Sequence, residues 1–79
     1  MEGKITVYEM VRDEDPSGVS GIGPVGQAVE FESGWVAVSF YLKTANVPNV
    51  IVYGSMEDAE KIHGHGGLTH FEHVWSFDG

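Results

Sequence analysis

The sequence predicts one small α+β domain, mainly β: a small SH3-like barrel or a curled antiparallel sheet of about five strands, with one short helix before the last strand. Three observations carry this reading. Valine-rich and aromatic segments alternate apolar and polar residues with a period of two; clusters of Gly, Pro, Ser and Asn separate them; and one stretch late in the chain opens on a helix cap and spaces its apolar residues as a helix does. Seventy-nine residues suffice for a single domain spanning 1–79, without a second lobe to close over a substrate.

Lys4 to Val11 alternates as a first strand, with the Ile5/Val7 face expected inside and Thr6, Tyr8 and Met10 on the other. Three adjacent acids, Asp13 to Asp15, and then Pro16 end it. Ser17 to Gly26 holds four glycines and a proline and is expected to be a long loop. Ala28–Glu32 and Trp35–Lys43 form a hairpin about Ser33-Gly34, with Val36, Val38, Phe40 and Leu42 sharing a face. Thr44 to Asn49 is a second loop, and Val50–Tyr53 is a short strand apolar on both faces. Ser55 caps a helix with acids in its first turn; Met56, Ala59 and Ile62 give its buried stripe, and Gly64 is its left-handed terminator. Leu68 to Phe77 closes the domain as a strand with Phe71 and Trp75 buried, while Tyr8, Trp35, Tyr41 and Trp75 are candidates to cover one sheet face.

Charge restricts function. Twelve acidic against four basic side chains leave a net charge of −8. Such a chain repels a phosphate backbone, so direct nucleic-acid binding is not expected, and neither is an anionic membrane surface. The chain lacks cysteine, which excludes disulfides, thiolate metal sites and thiol nucleophiles. The N-terminal residues do not read as a signal peptide or spanning helix, so the expected location is the cytoplasm, that of the host cell for a phage-encoded protein.

Two loops stand out. Gly21 to Gly26 spells G-x-G-x-x-G, but a loop precedes it and a strand follows, which is not the strand-turn-helix context a dinucleotide needs. What remains is a Gly/Ser loop whose backbone N–H groups, with the hydroxyls of Ser17 and Ser20, can cradle an anion. All four histidines fall between residues 63 and 73, and residues 62 to 71 contain three of them and no acid. His63-Gly64-His65-Gly66-Gly67 is therefore a candidate anion loop: imidazoles donate, and glycines let the backbone approach. A metal site is weighed and not adopted, because His70 and His73 are three apart on a strand and point to opposite faces. No G-x-S-x-G elbow, H-E-x-x-H helix or phosphate-loop lysine signals catalysis.

The strings SGVSGIG at 17–23, AVEFESGWVAVSF at 28–40 and SMEDAEKIHGHGG at 55–67 resemble short proteins of actinobacterial genomes and bacteriophages that carry an SGVSGxG loop and an IHGHGG turn. The resemblance implies that both loops belong to the family pattern and names no reaction.

Together these observations point to a non-enzymatic phage or mobile-element accessory protein that binds, and by binding sequesters, an anionic nucleotide-like small molecule, without catalytic residues, cofactor or metal. The expected ligand-binding residues are Ser17, Gly18, Ser20, Gly21 and Gly23 from one loop and His63, Gly64, His65, Gly66 and Gly67 from the other. A homodimer or higher homo-oligomer with interfacial pockets is expected, since so small a domain encloses little. Other readings are a protein-interaction module or acidic nucleic-acid mimic acting on a host protein partner and, further off, a His-based metal-dependent hydrolase.

Overall fold

The computed structural model describes residues 2–14, 22–64 and 67–79. Along the chain lie β1 (Lys4–Arg12), β2 (Gly23–Phe31), β3 (Val36–Phe40), α1 (Leu42–Ala45), β4 (Ile51–Tyr53), α2 (Met56–His63) and β5 (Thr69–Asp78). These described strands form one antiparallel sheet in the order β4-β3-β2-β1-β5. The sheet is open. β4 and β5 are its two edges, so the curled-sheet alternative describes it and the SH3-like barrel does not. Closure would require β4 to pair along β5, but β4 is three residues long and the chain leaves it through α2, which crosses one face of the sheet.

The core lies between that face and α2. Its buried members are Met10 of β1, Val25 and Ala28 of β2, Val36 and Val38 of β3, and Ala59 of α2, with Tyr8, Phe40, Tyr53, Met56 and Phe71 packed around them. Register explains the selection. Tyr8 pairs with Ala28 and Ala28 with Val38, so their side chains share a face. This overturns the expected facing of β1: Thr6, Tyr8 and Met10 look toward the helix, and Ile5 and Val7 look away. β1 is apolar on both faces, and its neighbours' register decides which one is covered.

β2 starts earlier than the alternation suggests, at Gly23 rather than Ala28. Pro24 is tolerated because the β2–β3 ladder begins only at Gly26–Phe40, and the β1–β2 register shifts at Met10/Val11 beside it. Gly26 has a packing reason to be glycine: a Cβ there would stand 2.7 Å from the Ser39 carbonyl oxygen and 3.0 Å from the Met10 methyl. At the β2–β3 turn, Gly34 takes φ 98°, and the Phe31 amide donates to the Trp35 carbonyl at 2.9 Å.

β3 ends at Phe40, short of the expected Lys43. Tyr41 donates its amide to the Val25 carbonyl, and the next four residues wind into α1, an extra helical turn ended by Asn46 at φ 65°. Asn49 then ties the connection to β3, its side-chain oxygen accepting from the Phe40 amide. Helix α2 starts as expected, with the Asp58 amide donating to the Ser55 hydroxyl at 3.1 Å. Two expectations about it are corrected. Ile62 is exposed and His63 is buried, because His63 lies one turn beyond Ala59 on the sheet-facing side. Gly64 is right-handed, φ −66° and ψ −26°; glycine is needed there because a Cβ would come within 2.5 Å of the Glu60 carbonyl oxygen.

In β5, the register shift between Val7 and Tyr8 turns Trp75 onto the face away from α2, where it is 53% exposed rather than buried. Trp35 and Trp75 thus lie on the side opposite Tyr8, and the aromatics do not cover a single face.

The close approach at Gly26 makes a checkable claim. Gly26→Ala forces β2 and β3 apart and lowers stability by about 1–3 kcal/mol, read as an earlier midpoint in urea unfolding. Ser55→Ala, which only removes a cap, lowers it by about 1 kcal/mol.

Candidate functional site

The two glycine-rich loops leave the sheet at the same end. Arg12, the last residue of β1, pairs with Gly23 on one side and Thr69 on the other. Gly23 opens β2 where the first loop ends, and Thr69 opens β5 where the second ends. Two strand spacings, about 10 Å, separate them across Arg12. Four backbone bonds fasten the second loop there: the amides of Asp13 and Glu14 donate to the Leu68 carbonyl at 2.7 and 3.3 Å, and those of Gly67 and Thr69 to the Gly64 carbonyl at 2.9 and 3.1 Å. Gly23 and Gly67 hold φ 102° and 100°, a region costly for other residues.

Of the expected binding residues, Ser17, Gly18, Ser20, Gly21, His65 and Gly66 lie outside the described residues. Gly23, Gly64 and Gly67 border this end of the sheet. His63 lies inward, 7% exposed, its Nε2 2.8 Å from the Tyr53 hydroxyl. The rings of Phe40, Tyr53 and Phe71 meet it edge-on at 5.4, 5.4 and 6.5 Å. It joins α2 to the sheet directly beside the second loop.

Two residues at this end escaped the sequence reading. Arg12 is the chain's single arginine, and by register it projects from the helix side of the sheet between the loops. Among the described residues no carboxylate pairs with it; the ion pairs there involve His70 instead. Thr69 is 7% exposed and its hydroxyl has no hydrogen-bond partner among the described residues, an unusual state for a buried polar atom. The signal available in the sequence was the one basic residue immediately before the acidic run. That residue alone does not mark a site, because its two neighbours come from residues 11 and 57 positions away.

His70 occupies the other face, as its spacing from His73 requires. Its Nδ1 lies 2.6 Å from Asp13 Oδ2 and its Nε2 2.8 Å from Glu72 Oε2. The hydrogen bonds to Glu72 and Asp13 raise its pKa above the ordinary 6.5. Among the described residues, no three His, Cys, Asp or Glu side chains converge as metal ligands.

A separate concavity of about 610 Å³ lies on the helix side at the opposite end of the sheet, with Thr6, Tyr8, Glu30, His73 and Ser76 among its walls. Tyr8 donates to Glu30 at 3.0 Å, and burial, then this bond, pushes the phenol pKa up. His73 Nε2 is 2.6 Å from Ser76 Oγ, a base beside a hydroxyl, but no carboxylate among the described residues orients the imidazole, as an activated nucleophile would need. Glu30, Glu32 and Asp78 outnumber Lys4 around it.

An open antiparallel sheet with a two-turn helix on one face defines a small α+β domain. The chain belongs to the Acb5 phage protein family, whose sequence model matches residues 5–75. It is thus a phage protein. No curated protein and no solved structure matches it. No described helix is long and apolar enough to cross a membrane.

The His70 contacts set a pH dependence with a defined sign. A raised folded-state pKa means that the contact stabilises fully below the unfolded value and fades as pH rises through the folded one. NMR titration should place His70 above 6.5, and Asp13→Asn should lower it. A His70 titration at or below the ordinary value would contradict the bridge.

Proposed function

We propose that this phage protein is a small non-enzymatic binding module that takes an anionic, nucleotide-like small molecule at the Arg12 end of the sheet and, by holding it, withdraws it from the host. The observation that carries the reading is the row Gly23–Arg12–Thr69. It brings the ends of both loops beside a guanidinium without a described carboxylate partner and a buried hydroxyl without a partner among the described residues.

Each part has a physical task. Arg12 offers a planar fork of donors matched to phosphate oxygens. Backbone N–H groups of glycine-rich segments add donors without side-chain obstruction. The Thr69 hydroxyl, unsatisfied in the free protein, gains a partner when a ligand oxygen arrives. His63 contributes through position: locked between Tyr53 and the aromatic rings, it anchors the start of the loop that borders the site. The net charge of −8 disfavours a long polyanion, whose charges would run along the whole acidic surface, more than one small anion held locally.

A panel of mononucleotides, dinucleotides and cyclic nucleotides, followed by thermal shift and calorimetry, tests the proposal. At least one should raise the melting temperature, and no response from any overturns the reading. Arg12→Ala should weaken the responding ligand about 10- to 100-fold, the effect of losing a hydrogen bond to a charged group. Thr69→Val should act in opposite directions: the free protein gains about 1 kcal/mol because an orphan polar group disappears, while binding weakens.

A further inference from the structure

The face of the sheet turned away from α2 carries two apolar rungs. One runs Val52–Ala37–Val29–Val7–Trp75 across β4, β3, β2, β1 and β5, each neighbouring pair in register. Beside it, Ile5 of β1 pairs with Phe31 of β2 and Phe77 of β5, and Trp35 stands across the hairpin from Phe31, bonded to it through the backbone. Neither rung contains a charge. The next rung, Ser39–Gln27–Glu9–Glu72, is polar throughout. Such a boundary is the pattern of a buried patch with a polar rim. The described residues leave it open: Phe31, Trp35, Val52 and Trp75 are 46, 54, 57 and 53% exposed.

We infer that this face is covered by a second copy of the chain, packed sheet on sheet about a two-fold axis that runs parallel to the strands over β2. Area is the first argument. Half of three aromatic side chains is about 300 Å², and the aliphatic members with Phe77 bring the patch to about 600 Å², the upper end of what a soluble monomer leaves open. Two such patches bury about 1,200 Å² together, the threshold of a stable specific interface.

Shape is the second. β2 is the middle strand of five, so an axis over it exchanges β1 with β3 and β5 with β4. That exchange lays Trp75 over Val52, Trp35 over Ile5 and Val7 over Ala37, each large side chain on a smaller one, with Val29 and Phe31 meeting their own copies on the axis. An axis across the strands would instead stack Trp75 and Phe77 on the same bulky pair of the other copy. The patch is thus self-complementary in one orientation, as an isologous contact requires. The acids remain outside it, so the two copies meet without opposing charges at the centre.

Sedimentation equilibrium of the wild-type chain over a range of concentrations tests the inference. The expected mass is twice 8.6 kDa, dissociating on dilution, and a monomer throughout overturns it. Ala37→Glu, on β3 and one strand in from the β4 edge, should give a monomer, whereas Gln27→Glu on the polar rung of the same face should leave the dimer intact. A dimer that survives Ala37→Glu and is broken by Val74→Pro on β5 would mean edge-to-edge pairing, and overturns the proposal. Far-ultraviolet circular dichroism of each variant separates dissociation from unfolding. The readout is mass, so it stands or falls independently of nucleotide binding.

Discussion

The contact between α2 and the face presented by β3, β4 and β5 governs the rest of this molecule. An eight-residue helix is too short to persist alone in water. It is held because Ala59, fully buried, joins the core cluster of Ala28, Val36 and Val38, while His63 reaches down one turn later into the rings of Phe40, Tyr53 and Phe71. Gly26 below and Gly64 at the helix end are small for the same reason: backbone atoms already occupy the space of a side chain. The helix leaves one end of that face to the acidic concavity and the whole reverse face without a covering element among the described residues.

This arrangement gives separate addresses to features that composition averages together. The described histidines, clustered in sequence, serve three environments: His63 in the core, His70 between two carboxylates on the reverse face, and His73 beside Ser76 at the concavity. The net charge conceals a similar division. Glu30, Glu32 and Asp78 line the concavity, Asp13 and Glu72 at the Arg12 end are bound to His70, and the two apolar rungs carry no charge. A site for one small anion and a self-association surface can coexist with an overall charge that repels nucleic acid, because screened interactions decay over a Debye length of about 8 Å in physiological salt.

Much of the fold was legible because local physics decides it. The β2–β3 hairpin follows from alternation plus a glycine at a positive φ, and the start of α2 from a serine whose hydroxyl accepts the Asp58 amide. The opposite facing of His70 and His73 follows from the two-residue period of a strand. The facing of β1, the exposure of Trp75 and the burial of His63 instead depend on registers and on a bulge between strands distant in sequence. Of the candidate site, the loops could be picked out by glycine content, but Arg12 and Thr69 could not, since each draws its significance from neighbours across the sheet.

The sequence by itself determined the class of domain, the order of the strands, the place of α2 and the exclusion of thiol chemistry, since composition, alternation and capping act within a few residues. Tertiary structure decided that the sheet stays open, which face is covered, and which side chains share the Gly23–Arg12–Thr69 row. Those outcomes depend on inter-strand register, and register is a relation between segments that no single segment encodes.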